Sequence, residues 1–319
     1  MPGVALVLGA GGTVGHAFHA GVLTALGTEL GWDARRADLV VGTSAGSVVA
    51  AMLRAGMPPT DMVRRGSRLP LSPDGEAVVR RARLGPMRPR PPRQRASGSI
   101  SSPARLRAAV RAPWAVSPGS LAAALLPEGR VPTAAMAVPF ENLFGGVWPT
   151  AATWIVAVQL DTGKRTVFGR TGGPPATPAE ALRASCAIPS FFEPAEIGGE
   201  RYVDGGVHST TNADLVVPEA PDLVLVSAPM SAARGAVRFG AATAVRQFAR
   251  LTLAREIAVL RARGIPVVVF QPTAVDMEVM AGDSLDPAKF APVAARAEET
   301  TRRRLARDDV RERLARLGG

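Results

Sequence analysis

The sequence is poor in cysteine and has no long run of apolar residues. Cys186 is the only cysteine among 319 residues, which excludes an internal disulfide framework and a zinc site of clustered cysteines, and favours a reducing compartment. No apolar stretch reaches the roughly 18 residues that a transmembrane helix needs. The first residues also lack the basic flank and cleavage pattern of a secretory signal. We therefore expect a cytoplasmic protein.

The composition is that of a globular chain with one unusual segment. Apolar residues make up 47%, charged residues 20% and aromatic residues only 5%, which excludes a wholly disordered, collagen-like or coiled-coil protein. The net charge is +11, and the segment 64–111 accounts for all of it, because it holds thirteen arginines against Asp74 and Glu76. Residues 80–103 are rich in arginine, proline, glycine and serine, so we expect them to be mobile.

Three interpretations of this basic segment stay open. It is a solvated linker, a surface for peripheral contact with an anionic membrane, or a nucleic-acid site. Near an anionic membrane each basic residue contributes about 1 kcal/mol. Nucleic-acid binding is disfavoured, because 64–111 lacks the interleaved aromatic residues on which single-stranded bases stack. We expect a single domain over 1–319, in which 64–150 is an inserted cap or linker region.

The first 53 residues contain two strand–loop–helix units. The apolar run Val4–Leu8 ends at a glycine and predicts a strand buried on both faces of a parallel sheet. Apolar residues spaced three and four apart predict a helix over 17–30. Residues 39–41 predict a second strand, which leads through the motif GTSAGS into a helix-compatible run at 48–53. These units predict an α/β fold with a mainly parallel central sheet.

The alternation of strands and helices resumes after residue 150. A turn at 161–163 between 153–158 and 165–168 predicts a hairpin. The patterns also predict extended chain at 196–203, strands at 223–226 and 267–270, and helices at 178–185, 236–263 and 287–317. In the last helix, Glu298 precedes Arg302 and Glu299 precedes Arg303 in the favourable i, i+4 order, which indicates an exposed surface helix.

The segment Gly42-Thr43-Ser44-Ala45-Gly46 fits the motif G-x-S-x-G between a predicted strand and a predicted helix, the context of a nucleophile elbow. A serine at such a turn has strained backbone angles, so the flanking positions must lack side chains. The N-terminus of the following helix favours developing negative charge. The alternative is an ordinary turn with a capping serine. The pattern predicts Ser44 as a nucleophile.

A nucleophilic serine needs a base, and histidine is the common one. His16 and His19 precede the serine, and no histidine follows His208. A histidine triad would have to pair His208 with Asp204, only four residues away, which is too short for the separate loops of such a triad. Asp204 stands directly before Gly205 and Gly206 after an extended stretch, so it is the alternative base. That role needs partial burial to raise the proton affinity of the carboxylate.

The glycine-rich stretch Gly9–Gly15 offers backbone N–H donors near the first strand. Positions without side chains let a tetrahedral oxyanion approach these amides. The competing interpretation is a dinucleotide-binding loop of the type G-x-G-x-x-G. Val14 stands where the third glycine would be, and the second strand lacks the acidic residue that binds a ribose. We therefore predict an oxyanion hole here.

These three pieces together resemble the patatin-like phospholipase family: a glycine loop on strand one, GTSAGS about thirty residues later, and a downstream DGG. The stretches LVVGTSAGSVVAAML (39–53) and ASCAIPSFFEPAEIGGERYVDGGVHSTTNADLV (184–216) are similar to that family's elbow and to its block around the catalytic aspartate. The similarity covers about 4–56 and 153–228, whereas 64–150 shows none.

The resemblance implies an αβα three-layer sandwich and a serine acyl hydrolase that cleaves lipid acyl esters without a metal or cofactor. The catalytic dyad carries over to Ser44 and Asp204, and the glycine motif to Gly11, Gly12 and Gly15. With these assignments, the oxyanion hole comprises Gly11, Gly12 and Thr13, and the motifs are supported by Gly15, Gly42, Gly46, Gly205 and Gly206. The sequence departs from the family at Ala10, which replaces a glycine, and at Val14, which replaces a cation.

Two other functions use the same residues. A noncatalytic module of this family would bind lipid or a protein partner through the same cleft, although it would not need the serine, the aspartate and the glycine loop together. An acyltransferase or thioesterase would use the same dyad and differ only in the acceptor or the bond cleaved. The lone Cys186 is predicted to be a small buried residue and not a nucleophile.

Overall fold

A computed structural model of the protein describes residues 3–85, 101–111, 118–233 and 241–314. Its strands are β1 Val4–Leu8, β2 Leu39–Thr43, β3 Ala152–Gln159, β4 Arg165–Phe168, β5 Ala195–Ile197, β6 Glu200–Asp204, β7 Leu223–Ser227 and β8 Val267–Phe270. Its helices are α1 Gly12–Leu30, α2 Ala45–Arg54, α3 Pro59–Gly66, α4 Pro73–Ala82, α5 Pro103–Arg111, α6 Pro118–Leu125, α7 Ala134–Phe144, α8 Pro178–Ser185, α9 Ala241–Ala262, α10 Ala274–Met280, α11 Phe290–Leu305 and α12 Asp308–Leu314.

The strands form one mixed sheet with the hydrogen-bonded order β5-β6-β3-β2-β1-β7-β8, and β4 pairs with β3. The strands β3, β2, β1, β7 and β8 are parallel to one another. The pairs β3–β4, β3–β6 and β5–β6 are antiparallel. The predicted α/β fold with a mainly parallel sheet is confirmed, and so is the predicted hairpin of β3 and β4.

Helices cover both faces of the sheet, as expected for strands that are apolar on both sides. On one face Leu6 and Leu8 of β1 belong to a core that includes Phe18 of α1 and Val49 of α2. On the other face the alternate residues of the same strand, Ala5 and Val7, belong to a second core with Leu253 and Ile257 of α9. The molecule is an αβα sandwich.

Two helices differ from their predicted bounds. The first begins at Gly12 instead of residue 17, so part of the glycine-rich stretch is the first turn of α1. The predicted helix over 287–317 is interrupted after Leu305, and α12 begins at Asp308. Asp308 and Asp309 lie in the first turn of α12, where acidic side chains stabilise a helix N-terminus. The predicted pair Glu298–Arg302 is present at 2.7 Å.

The inserted region 64–150 contains α4 to α7 among its described residues, together with part of α3. Most of the segment predicted to be mobile, 86–100 within 80–103, lies outside the described residues. Contact between 64–111 and an anionic membrane stays a prediction, as does the single domain over 1–319. None of the helices in the described ranges combines the length and the apolar character needed to cross a bilayer.

The packing of α1 against α11 depends on a close approach at Gly21. A Cβ atom at this position would lie 2.3 Å from the Ala294 carbonyl oxygen and 2.9 Å from the Glu298 nitrogen. Both of these are backbone atoms, so a side chain at residue 21 requires the two helices to separate. By contrast, the nearest atom to a Cβ at Gly27 in the same helix is the Trp32 carbonyl oxygen, at 3.6 Å.

We expect Gly21→Ala to lower the free energy of unfolding by about 1–3 kcal/mol, because the added methyl overpacks this helix contact. The matched control is Gly27→Ala, which has room for the methyl and gains helix propensity of about 1 kcal/mol or less. Urea denaturation followed by circular dichroism measures both. Equal stability of the two variants would contradict the close-packing argument.

Candidate active site

Ser44 lies at a sharp turn between β2 and α2, with φ 53° and ψ −118°. A positive φ is unfavourable for a residue with a side chain, and such strain costs on the order of 1–3 kcal/mol. The side chain is only 4% exposed. A Cβ at Gly42 would lie 2.5 Å from the Ser47 Cα, and one at Gly46 would lie 1.9 Å from the Leu8 carbonyl oxygen. Both motif glycines therefore allow the backbone to pass close by.

Hydrogen bonds hold the strained turn on both sides. The Ser44 N–H donates to the Ser185 hydroxyl oxygen at 2.9 Å, and that hydroxyl donates to the Val156 carbonyl of β3 at 2.7 Å. The Ser44 carbonyl accepts from the Ser47 hydroxyl at 2.6 Å. Ser185, at the end of α8, thus ties the turn to the middle of the sheet. No spacing motif connects Ser185 to Ser44, so its contribution could not be predicted from the sequence.

Strand β3 brings the ends of β2 and β6 together. Thr43 of β2 is in register with Val156, and Asp204 of β6 is in register with the next residue, Ala157. The strand β4 pairs with residues 155–158 along one edge of β3, and this range overlaps the residues of β3 that pair with β2 and with β6. Both β2 and β6 therefore lie along the other edge of β3, one after the other. Because β2 is parallel and β6 antiparallel to β3, their carboxyl ends meet. Ser44 directly follows one of these ends, and Asp204 is the last residue of the other.

The Asp204 carboxylate is buried, with 6% of the residue exposed, and the Ser44 side chain lies close enough to it to lower its pKa. It also accepts the Gly206 N–H at 2.7 Å, and its own N–H donates to the Ala187 carbonyl at 3.0 Å. Burial raises the pKa of Asp204 from 3.8 to about 6, although the nearby Ser44 side chain and the hydrogen bond from the Gly206 N–H oppose the shift. The carboxylate is therefore a better base than an exposed one.

None of the three histidines, all of which lie in described ranges, hydrogen-bonds the Ser44 hydroxyl. The His16 ring makes an edge contact with Phe290 at 5.2 Å between centroids. The N–H of His208 donates to the Gly205 carbonyl at 3.0 Å, within the turn that follows Asp204. Burial lowers the pKa of His16 to about 3 and that of His19 to about 4, so both are neutral near pH 7.

The buried His19 ring hydrogen-bonds the first residue of the glycine-rich segment and the last residue of β7. Its Nε2 lies 2.8 Å from the Gly9 carbonyl oxygen and its Nδ1 lies 2.7 Å from the Ser227 hydroxyl. A carbonyl can only accept, so the proton of the neutral ring is on Nε2, and Nδ1 accepts from Ser227. The Gly9 carbonyl also accepts the Gly46 N–H at 3.1 Å. The histidine thereby fixes the carbonyl that joins the glycine segment to the elbow.

The backbone amides of Gly11, Gly12 and Thr13 stand at the N-terminal end of α1. No described residue accepts a hydrogen bond from any of the three, whereas the Val14 N–H donates to the Ser284 carbonyl at 3.0 Å. Gly12 has φ +61°, which a residue with a side chain rarely adopts. Free N–H groups and the positive end of the helix dipole favour an anion here.

The structure adds Ala45 to the candidate donors. Its N–H follows the elbow serine directly and has no acceptor among the described residues. In hydrolases with a serine elbow, the N–H of the residue after the nucleophile commonly contributes to the oxyanion hole. The motif G-x-S-x-G contains this position, but its variable residue type gave no reason to select it.

The chain after Asp204 is anchored by a second buried carboxylate, Glu256 of α9, which is 5% exposed. Glu256 accepts the Thr211 hydroxyl at 2.6 Å and the Ala213 N–H at 3.0 Å, and burial raises its pKa. The Thr210 carbonyl in this segment accepts the Ala10 N–H at 2.7 Å. Glu256 thus holds the segment that joins the turn after Asp204, called here the aspartate turn, to the glycine-rich segment Gly9–Gly15.

The structure also describes the surroundings of Ala10 and Val14, where the sequence departs from the family pattern, and of the lone Cys186. The Ala10 Cβ lies near Gly206, since a Cβ added at Gly206 would be 3.5 Å from it, an ordinary van der Waals distance. Val14, in the first turn of α1, is buried in the core. The Cys186 thiol lies 3.6 Å from the Ser44 carbonyl oxygen, and burial raises its pKa to about 12. In the described part of the chain, no three His, Cys, Asp or Glu side chains are grouped so that they would hold a metal ion.

Comparison with known proteins places the chain in a family. The family model of patatin-like phospholipases matches residues 6–217, about two thirds of the chain. This range includes the glycine segment, the elbow, β3 and the aspartate turn. None of the curated protein sequences is similar enough to count as a match.

Two solved structures are similar over nearly the whole chain, at low identity. VipD from Legionella pneumophila is 13% identical, with 95% of this chain and 66% of that chain covered and a TM-score of 0.44. The type III effector protein ExoU is 17% identical, with 98% of this chain and 53% of that chain covered and a TM-score of 0.37. The present chain spans less than two thirds of the length of either one.

We expect Ser185→Ala to lower the free energy of unfolding by about 1–3 kcal/mol, because it leaves the buried Ser44 N–H without an acceptor. Ser47→Ala is the matched control: it removes the same atom, but the Ser44 carbonyl keeps the N–H donors of Ser47 at 2.9 Å and Val48 at 3.3 Å. The free energy of unfolding is expected to fall less in Ser47→Ala than in Ser185→Ala. Chemical denaturation of both variants measures the difference, and a larger loss for Ser47→Ala would contradict the role given to Ser185.

Proposed function

Because the chain belongs to the patatin-like phospholipase family, we propose that it is a serine acyl hydrolase that cleaves lipid acyl esters through a Ser44–Asp204 dyad. Membership of the family supports lipid hydrolysis. The dyad rests on one observation: the ends of β2 and β6 meet at neighbouring residues of β3, which places the elbow serine beside the buried Asp204 carboxylate.

In the first step, the Ser44 Oγ attacks the ester carbonyl carbon while Asp204 takes the hydroxyl proton. A new C–O bond forms and the carbonyl oxygen becomes an oxyanion. The N–H groups of Gly11, Gly12 and Thr13, with that of Ala45, face the developing charge. Loss of one such donor typically costs a hundredfold or more in rate, so these amides carry much of the stabilisation.

In the second step, the tetrahedral intermediate collapses and the bond to the alcohol oxygen breaks. Asp204 returns its proton to that oxygen, and the acyl group stays on Ser44. Water then attacks the acyl-enzyme while Asp204 accepts its proton. The bond to the Ser44 Oγ breaks as Asp204 returns this proton to the Oγ, and the carboxylic acid leaves. One carboxylate acts as base and then as acid in each half of the reaction, and its raised pKa suits it for both directions of transfer.

We expect Ser44→Ala and Asp204→Asn each to lower kcat for medium-chain nitrophenyl esters by at least about a thousandfold, as removal of a nucleophile or its base does in other serine hydrolases. Asp74→Asn, at a carboxylate whose side chain is 66% exposed, serves as the control. Circular dichroism checks that each variant is folded. Substantial ester hydrolysis by folded Ser44→Ala would refute the dyad.

A fluorophosphonate probe separates the proposed function from its alternatives. We expect it to label the wild type at Ser44 and to leave Ser44→Ala unlabelled. Absence of labelling in the folded wild type would favour a noncatalytic binding module. Labelling without fatty-acid release from phospholipid, but with acyl transfer to an added alcohol or cleavage of a thioester, would favour an acyltransferase or thioesterase.

The pH dependence follows from the requirement for an ionised Asp204. Its pKa is raised to about 6, so protonation removes the base as the pH falls through this value. We expect kcat/KM to fall about tenfold per pH unit below about pH 6. The pH dependence of kcat/KM reports the pKa of the base in the free enzyme. Stability at each pH is followed by circular dichroism. If kcat/KM instead begins to fall only near pH 4, the range of an exposed carboxylate, the effect of burial on the Asp204 pKa is contradicted.

A further inference from the structure

A cavity of about 280 Å³ opens between two surface loops, residues 188–191 and 282–285. It is lined by Ile188, Pro189, Ser190, Phe191, Gly282, Asp283, Ser284 and Leu285. Both loops belong to segments that connect elements at the carboxyl ends of the parallel strands, where α/β folds bind their ligands. The first lies in the connection from α8 to β5, and the second lies between α10 and α11.

One wall of the cavity is adjacent in sequence to residues that hold the candidate active site, and the other contacts the first turn of α1. Residues 188–191 follow Ser185, which holds the Ser44 backbone, and Ala187, whose carbonyl accepts the Asp204 N–H at 3.0 Å. The opposite wall covers the first turn of α1. A Cβ at Gly12 would lie 2.8 Å from the Leu285 side chain, and the Thr13 hydroxyl donates to the Leu285 carbonyl at 3.4 Å.

The chemistry of the lining favours an apolar ligand. Ile188, Pro189, Phe191 and Leu285 supply apolar side chains from both loops, and no lysine, arginine or histidine is among the lining residues. The carboxylate of Asp283 is the one charged group of the lining, and it disfavours a phosphate. The cavity therefore suits a hydrocarbon chain better than the charged part of a phospholipid.

The larger cavities lie away from the site. One of about 540 Å³ is lined by Gly3, Asp38, Leu39 and Ala152, at the amino ends of β1, β2 and β3. Another of about 700 Å³ runs along the edge strand β8 between α9 and α12. None of the three cavities is lined by a residue of the glycine segment, the elbow or the aspartate turn, but the small one adjoins the first turn of α1 through Leu285.

We infer that the cavity between 188–191 and 282–285 receives the acyl chain of the ester, an inference that rests on the proposed function. Its volume is below the range of about 300–1,000 Å³ typical of pockets that enclose a whole ligand. It therefore takes one part of the lipid, a chain of medium length. The alcohol part of the ester stays outside it. In this arrangement Leu285 and Ile188 set the preferred length of the chain.

The test compares ester hydrolysis at two chain lengths. Each methylene that enters an apolar site improves binding by about fourfold, so filling the cavity removes this gain for long chains only. We expect Leu285→Trp and Ile188→Trp each to lower the ratio of kcat/KM for a nitrophenyl decanoate over a nitrophenyl butanoate by at least about tenfold. Leu251→Trp is the control, at a leucine of α9 that is 54% exposed, and it keeps the wild-type ratio.

Binding of decanoate gives a second measurement that does not require turnover. Isothermal titration calorimetry of the wild type and of both tryptophan variants, with Leu251→Trp as the control, is expected to show binding that the two cavity variants weaken at least about tenfold. Circular dichroism establishes that all variants are folded. An unchanged chain-length ratio in both cavity variants, together with unchanged decanoate binding, overturns the inference.

The two hypotheses fail in different ways. If the wild type hydrolyses no ester but binds decanoate through Leu285 and Ile188, the proposed function fails and the chain-binding site stands. If the wild type hydrolyses esters and the cavity variants lose activity equally at both chain lengths, the loops only position the catalytic groups. In that case the inference fails and the proposed function stands.

Discussion

The arrangement of the candidate site depends on the hydrogen bonds that Ser185 makes in the middle of the sheet. Its hydroxyl accepts the N–H of Ser44, whose φ of 53° is unfavourable, and donates to the carbonyl of Val156. Val156 is also in register with the end of β2, one residue before the position that meets Asp204. A single buried hydroxyl therefore couples the geometry of the nucleophile to β3, the strand that pairs with the end of β6 at the carboxylate, and the sheet supports the strain at the turn.

Burial has opposite consequences for the acidic and the basic groups around this junction. It raises the proton affinity of Asp204 and Glu256 and lowers that of His16 and His19. The proposed base gains strength, whereas the imidazoles are uncharged and cannot compete for the oxyanion. His19 instead acts through its neutral form, since one ring nitrogen must donate to Gly9 while the other accepts from Ser227. The same desolvation thus separates a carboxylate suited to proton transfer from histidines suited to holding a backbone in place.

Much of the fold and the central pair of residues could be predicted from the sequence, because the relevant signals are local. Val4–Leu8 and Leu39–Thr43 are apolar runs that end at glycine-containing turns, and Asp204 stands before two glycines. The contributions of Ser185 and Glu256 could not be found in this way, since a serine or glutamate in a helix has many surface roles and only the tertiary packing buries them. The start of α1 at Gly12 was missed because glycines favour a loop locally, whereas packing against Ser284 and Leu285 favours the helix.

The cover of α1 comes from a part of the chain that lies beyond the residues matched by the family, 6–217. Leu285 and its neighbours form one wall of the small cavity, and α11 packs on α1 at Gly21. On the proposed function, the hydrolytic chemistry lies within 6–217, whereas the choice of acyl chain depends on residues both inside and beyond this range. Mutations in the later stretch would then change which acyl group is preferred and leave the dyad and the oxyanion donors unchanged. Relatives that share the motifs need not share a substrate.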